Sequence, residues 1–371
     1  MEWHTFFCNL HLHLRGCAEK TLAMEEHPME GAVMMAQGKR CLLWGLVVAT
    51  MLLSPTLALA KKKKISEVAT QVVVTVVPHA QNAAQISTIS SSKVQVEEDG
   101  KPTQVVGWKP ITASDGTQLV ILIDDSLQVW ASLYFKEIND FISQLPASTQ
   151  VALGYMQYGS TVIAAGFAAD HAKIMKVVHI PSEPAGSNAS PYFCLSDLVN
   201  HWPAGRPAAV RQVLMVTDGI DRYFEGSQYD PEDPYLLAAI RDAQKQRVMV
   251  SSIYFRDSGD AGTSFMGGSY LRDVADGTGG KMYYAKIGNP ITFAPFLKDY
   301  KKRLADTFVL TFLEHGSGLQ NVKVLSGEPD IKLESPARVV VGQKILEPVA
   351  TPPNKTKGTV GRGASLQGSI R

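Results

Sequence analysis

Two apolar runs in this 371-residue chain are followed by carboxylates and hydroxyls, groups that can bind cations or activate water. The run at 119–123 is followed by Asp124, Asp125 and Ser126, and a later run is followed by Asp218. In an open α/β sheet, ligands bind in the crevice beyond the carboxyl ends of the strands. The acidic ends of these runs therefore lie where a functional site is expected. The competing interpretation is that Asp124 or Ser126 only caps the helix that follows.

The elements that position these groups come from an alternation of strand and helix patterns over residues 117–305. The run at 119–123 has no polar residue, which is typical of a strand buried on both faces of a parallel sheet. Helical spacing follows over 128–145. The alternation predicts a Rossmann-like, open, mainly parallel sheet with helices on both faces. The further predicted strands are 151–155, 162–165, 213–216, 248–254 and 281–284, and the further predicted helices are 192–201, 234–246, 270–275 and 293–304.

The segments on either side of this α/β domain have a different pattern. Residues 61–116 and 306–345 alternate apolar with polar residues, as half-exposed strands do. We predict that the two segments pair into one small antiparallel β-sandwich, into which the α/β domain is inserted. Two independent β caps are the alternative. Residues 346–371 have the composition of a disordered tail.

The first 60 residues have the order of regions found in a secretory signal peptide. A basic pair at 39–40 precedes the apolar run 41–53, and small residues follow at cleavage spacing. Met34 or Met35 would give a signal of normal length, so we expect the translation start at Met1 to be over-extended. The prediction is a secreted, periplasmic or cell-envelope protein. An uncleaved membrane anchor is the alternative, because the apolar segment is long enough to span a bilayer.

Composition and cysteine usage describe an ordinary globular protein. Hydrophobic content is 45% and formal net charge is +1, so there is no global argument for a nucleic-acid partner. Cys8, Cys17 and Cys41 lie in the segment predicted to be removed, which leaves Cys194 without a disulfide partner. The chain has no Gly-x-Ser-x-Gly, Cys-x-x-Cys or His-Glu-x-x-His motif. The strong sequence signals of hydrolases, redox enzymes and zinc proteases are therefore absent.

Three motifs in order resemble the von Willebrand factor type A (vWA) domain. They are Asp124-x-Ser126 after the first strand, Thr217-Asp218-Gly219 after a later strand, and the helix, turn and short strand at 271–284. The resemblance covers roughly half of the chain, and the flanking β segments and signal peptide further resemble exported bacterial vWA-related proteins. It implies the fold of that family and a role in binding another protein.

The resemblance also implies a metal ion-dependent adhesion site (MIDAS) for Mg²⁺. In the family this site has the pattern Asp-x-Ser-x-Ser with a distant Thr and a distant Asp. The matching positions here are Asp124, Ser126, Gln128, Ser190 and Asp218. Two of them depart from the family, because Gln128 stands where the second Ser is expected and Ser190 where the Thr is expected, with Ser187 as a second candidate. The site is therefore a degenerate one.

These observations predict an exported, non-enzymatic binding or adhesion-type protein. The expected partner is a protein ligand that offers an acidic side chain, with Asp125, Ser187 and Asp221 as further partner-binding residues. No nucleic acid is expected, and a membrane contact only if the signal segment is retained. The alternatives are a metal-free scaffold in an envelope complex and a metal-dependent hydrolase in which Asp124 and Asp218 activate water.

Overall fold

A computed structural model describes residues 67–79, 89–125, 127, 133–179, 190–223, 229–256 and 261–346, with the backbone alone for 261–264. The predicted signal segment, the lysine run at 61–64 and the tail beyond 346 lie outside these residues. No helix in the described ranges is long and apolar enough to cross a membrane.

The strands and helices alternate in the middle of the chain, and strands alone flank them. The strands are β1 (Val68–Pro78), β2 (Val94–Glu98), β3 (Lys101–Thr103), β4 (Val105–Pro110), β5 (Thr117–Asp124), β6 (Thr149–Gln157), β7 (Ser160–Ala168), β8 (Val210–Thr217), β9 (Val248–Tyr254), β10 (Met282–Tyr283), β11 (Thr307–Glu314), β12 (Leu319–Ser326), β13 (Ile331–Glu334) and β14 (Arg338–Val340). The helices are α1 (Phe135–Ser143), α2 (His171–Met175), α3 (Pro191–Asn200), α4 (Pro234–Lys245), α5 (Ala261–Thr278) and α6 (Ala294–Ala305).

The α/β domain is organised by a six-stranded sheet in the order β10-β9-β8-β5-β6-β7. Its paired strands are parallel except for the β6–β7 hairpin, which places an antiparallel strand at one edge. The order reverses at β5, as in doubly wound folds, so a crevice opens at the carboxyl ends of β5 and β8.

Strand β5 is buried on both faces because helices cover both sides of the sheet. Leu119, Ile121 and Ile123 face a core that includes residues of α1, α2 and α6. Val120 and Leu122 face a second core that includes residues of α3, α4 and α5. This two-sided burial explains why the run contains no polar residue.

The flanking segments form a sandwich of two four-stranded sheets, in the orders β13-β1-β11-β4 and β14-β12-β2-β3. Each sheet takes two strands from before the α/β domain and two from after it. Strand β1 pairs antiparallel with β11, and β2 pairs antiparallel with β12. One apolar cluster, which includes Val74, Val96, Leu310 and Val324, fills the space between the sheets.

The predicted fold class is confirmed, and the structure defines the bounds and directions of its elements. Helix α5 begins at Ala261 rather than at 270, and strand β7 is antiparallel because Tyr158 and Gly159 form a two-residue turn with positive φ at both positions. Helix α1 begins at Phe135, and residues 128–132, where its start was predicted, lie outside the described part.

Candidate functional site

The carboxyl ends of β5 and β8 lie side by side, since these strands pair in parallel up to Ile123 and Val216. The register brings Asp124 next to Thr217, and the Thr217 hydroxyl donates a hydrogen bond of 2.6 Å to Asp124 Oδ2. The same hydroxyl accepts a bond of 3.0 Å from the backbone N–H of Gly219. Both side chains are buried. Asp124 is thus joined to the turn that follows β8.

Asp218 is held by a guanidinium that the sequence motifs did not indicate. Arg222 Nη2 donates to Asp218 Oδ2 at 2.6 Å, and the backbone N–H of Ile220 donates to Oδ1 at 2.9 Å. Asp218 is 2% exposed. Burial and the Asp124 carboxylate raise the pKa of Asp218 above its usual range, whereas Arg222 opposes the rise. The arginine therefore neutralises a carboxylate that burial would otherwise disfavour.

A second carboxylate in the same turn connects it to helix α3. The Ser190 hydroxyl donates a bond of 3.0 Å to Asp221 Oδ2, and the backbone N–H of Tyr223 donates to Oδ1 at 2.8 Å. Ser190 also caps α3, since its side chain accepts from the N–H of Phe193. Ser190 and Asp221 are both buried, so they fix the turn 218–223 against the start of α3.

The remaining predicted site residues have different placements. Asp125 is buried, and its carboxylate accepts a bond of 2.5 Å from Gln157 Nε2, which attaches the end of β5 to β6. Ser126, Gln128 and Ser187 lie outside the described residues. The structure thus brings together Asp124, Asp218, Ser190 and Asp221 around the crevice, and it places Asp125 against β6.

Aromatic side chains form the rim of the crevice beside α3 and α4. Phe193, Tyr223 and Tyr235 contact one another edge to face, with ring centroids 4.7–5.4 Å apart. Tyr223 is 50% exposed. The rim thus offers accessible apolar area next to the buried polar network, a combination suited to contact with another protein.

The backbone of the crevice depends on two glycines at a close crossing. Gly219 has φ +69°, a conformation that favours glycine. A Cβ at Gly267 of α5 would lie 2.2 Å from the carbonyl oxygen of Asp218, and one at Gly219 would lie 2.5 Å from the Gly267 oxygen. Helix α5 therefore packs backbone to backbone on the turn that carries Asp218.

The described side chains do not fit a resident Mg²⁺ at Asp218. Both of its carboxylate oxygens already accept hydrogen bonds, and a guanidinium supplies the positive charge that a cation would bring. In the described part of the chain, no three His, Cys, Asp or Glu side chains gather as a metal site. A hard cation needs several oxygen ligands in near-octahedral positions. Arg222 is not among the residues that the motifs predict, and the sequence signal for it is a basic residue four positions after Asp218.

The chain has low similarity to several solved structures. No protein-family model matches the chain, and no curated protein matches it. Similar solved structures include BatB from Bacteroides thetaiotaomicron, with 12% identity and a TM-score of 0.36 over 51% of this chain and 98% of that chain. An aerotolerance-related membrane protein from Bacteroides fragilis has 10% identity and a TM-score of 0.36 over 51% and 98% of the two chains.

A third similar structure is proximal thread matrix protein 1 from the mussel byssus, solved with a zinc-occupied MIDAS motif. Its identity is 12% and its TM-score 0.38, over 54% of this chain and 48% of that chain. All three similarities are low, and the assignment of the domain rests on its own topology. The reversal of strand order at β5, the antiparallel edge strand and the acidic turns after β5 and β8 give residues 117–305 a vWA-like fold.

Proposed function

We propose that this chain is an exported, non-enzymatic binding protein that presents the crevice of its vWA-like domain to a protein partner. The observation that carries the proposal is the buried polar network of Asp124, Thr217, Asp218 and Arg222 beside an exposed aromatic rim. The network fixes the loops that shape the rim. Its carboxylates accept bonds from fixed donors, which supports a role in organising a surface rather than in activating water. Export is supported by the signal-like order of residues 39–60.

The crevice is expected to lose its partner when either the rim or the network is altered. Tyr223→Ala removes a half-exposed ring without touching a buried charge, and Asp124→Asn weakens the network while keeping its shape. Each full-length variant is immobilised beside the wild type and exposed to an envelope or secreted extract. Each variant should capture about one tenth or less of the partner that the wild type captures, as quantified by mass spectrometry.

The matched control is Asp140→Asn, because Asp140 is an exposed carboxylate on α1 that pairs with Lys136. This control should capture the same proteins as the wild type. Circular dichroism and thermal melting verify that each variant is folded. Unchanged capture by folded Tyr223→Ala and Asp124→Asn proteins would rule out the crevice as the contact surface.

We further infer that the crevice works without a divalent cation, as in the metal-free alternative. A calorimetric titration of the full chain with Mg²⁺ or Mn²⁺ should give no saturable heat, because Arg222 already neutralises Asp218. The melting temperature should also be the same in MgCl₂ as in a chelator. Saturable heat that disappears in Asp124→Asn would contradict this inference. It would mean that Arg222 dissociates from Asp218 and that the predicted Mg²⁺ site is formed.

A further inference from the structure

A separate pocket of about 250 Å³ lies beyond the carboxyl ends of β9 and β10. One wall is a stripe of helix α5 formed by Phe265, Gly268, Ser269 and Arg272, which lie on one face because their spacing matches the helical period. The opposite wall is the segment 284–288 that follows β10. None of the predicted site residues in the described ranges lines this pocket.

The charged side chains that line the pocket in the described part of the chain are all positive. They are Arg256, Arg272 and Lys286, and residues 257–260, which follow Arg256, lie outside the described part. In the described part of the chain, none of the three forms an ion pair within 4.0 Å. This differs from the crevice, where Arg222 forms an ion pair with Asp218. Three cations that line one pocket favour the binding of an anion there.

The wall that carries Lys286 is held in place by hydrogen bonds between the Asn289 side chain and the backbone of Arg256. Asn289 Nδ2 donates to the carbonyl oxygen of Arg256 at 2.8 Å, and Asn289 Oδ1 accepts from the Arg256 N–H at 2.6 Å. This amide bridge ties the segment after β10 to the end of β9. The cations are therefore presented from a fixed backbone, which lowers the entropy lost when an anion binds.

Aromatic side chains line the same pocket and offer area for a second contact. Phe265 is 67% exposed, Tyr284 is 49% exposed, and Tyr254 lies half-buried at the floor. The volume is below the range of roughly 300–1,000 Å³ that holds drug-sized ligands. A free phosphate or a small inorganic anion would leave the exposed rings unused. A carboxylate side chain with an apolar neighbour in the same segment would use both the cations and the rings.

We propose that this pocket is an anion-binding subsite for an acidic side chain of the protein partner. The proposal rests on the proposed function, and it assigns the acidic group of the partner to Arg256 and Arg272 rather than to a metal in the crevice. Guanidinium groups bind carboxylates through two parallel hydrogen bonds, which fixes orientation as well as charge. The exposed rings of Phe265 and Tyr284 contact the residue beside the carboxylate.

The test uses a fluorescently labelled peptide, acetyl-Phe-Glu-Asp-Phe-amide, and the full chain, with anisotropy as the readout. The wild type should bind this peptide and should bind its neutral counterpart, acetyl-Phe-Gln-Asn-Phe-amide, at least about tenfold more weakly. The double variant Arg256→Gln/Arg272→Gln should lose about tenfold or more in affinity for the acidic peptide. Affinity should fall as salt concentration rises, since the pocket is open to solvent.

The matched control is the double variant Lys101→Gln/Lys323→Gln, which removes the same charge from exposed positions on the sandwich. It should bind the acidic peptide as the wild type does. Equal binding by the Arg256→Gln/Arg272→Gln variant, or equal affinity for the neutral peptide, would overturn the proposal. Displacement of the peptide by inorganic phosphate but not by acetate at constant ionic strength would also overturn it, because the ligand would then be a phosphate. If the peptide does not bind while crevice variants still lose the partner, only this subsite fails.

Discussion

Replacing Gly267 by alanine should destabilise the chain by about 3 kcal/mol, because the new methyl group has no room. It would lie 2.2 Å from the Asp218 carbonyl oxygen, and the next nearest atoms, in Gly219 and Ile220, also belong to the backbone. A backbone contact cannot be relieved by rotating a side chain. Helix α5 or the turn at 218–220 must therefore move, and the Asp218–Arg222 pair moves with it. Denaturant unfolding of the two proteins, monitored by circular dichroism, measures the difference.

The neighbouring residue provides the control for this substitution. A Cβ at Gly268 would have no neighbour closer than 3.6 Å, and the atoms it meets are the side chains of Met282 and Tyr254. Gly268→Ala should leave stability unchanged or raise it by up to about 1 kcal/mol, since alanine is the better helix former. Equal free energies of unfolding for the Gly267→Ala and Gly268→Ala proteins would show that the crossing is not as close as described.

The second large expected effect is that the free energy of unfolding falls as the pH rises from acidic to neutral, because of Glu314. This side chain is 0% exposed, and neither carboxylate oxygen has a hydrogen-bond partner among the described residues. Burial raises the pKa of Glu314 to about 7, the carboxylates of Glu98 and Asp99 add to the rise, and the Thr70 side chain opposes it. The folded state therefore favours the protonated acid.

The sign of the pH dependence follows from this raised pKa. The stabilisation by the protonated acid is complete below the model-peptide value of 4.5, and it is lost as the pH rises to about 7. The loss should be about 3 kcal/mol. Glu314→Gln should match the wild type near pH 4.5 and exceed its stability by about this amount above pH 7, as measured by denaturant unfolding across the range. Glu97→Gln, a partly exposed control in the same sandwich, should change stability by less than about 0.5 kcal/mol at any pH.

The sequence predicts the architecture well where periodicity alone decides the outcome. The apolar run of β5 and the alternating strands of the sandwich are direct consequences of which faces are covered. The start of α5 was placed too late because Gly267 and Gly268 lower helix propensity. Gly267 is also what allows α5 to approach the Asp218 turn. The tertiary contact therefore determines the helix here, against the low helix propensity of glycine.

The candidate site was only partly predictable. The positions of Asp124 and Asp218 follow from the rule that acidic strand ends meet at one edge of a parallel sheet. Arg222 reaches Asp218 through a non-helical turn, and no sequence periodicity describes that geometry. The cations of the second pocket come from the segment after β9, from α5 and from the segment after β10, so only the folded chain shows that Arg256, Arg272 and Lys286 line one pocket.

The sandwich has a consequence for the order in which the chain folds. Strands β1 to β4 leave the ribosome before β11 to β14 exist, although each sheet needs both sets, and the pair Val68 and Glu314 spans the whole α/β domain. The α/β sheet has no such dependence, because its strands pair with one another. Pairing across so long a separation is slow, although its entropic cost grows only weakly with length. Until it occurs, the apolar strand β1 is an unpaired edge that other chains could join. We therefore expect the sandwich to close after the α/β sheet has formed, and we expect the risk of aggregation to be highest before that closure.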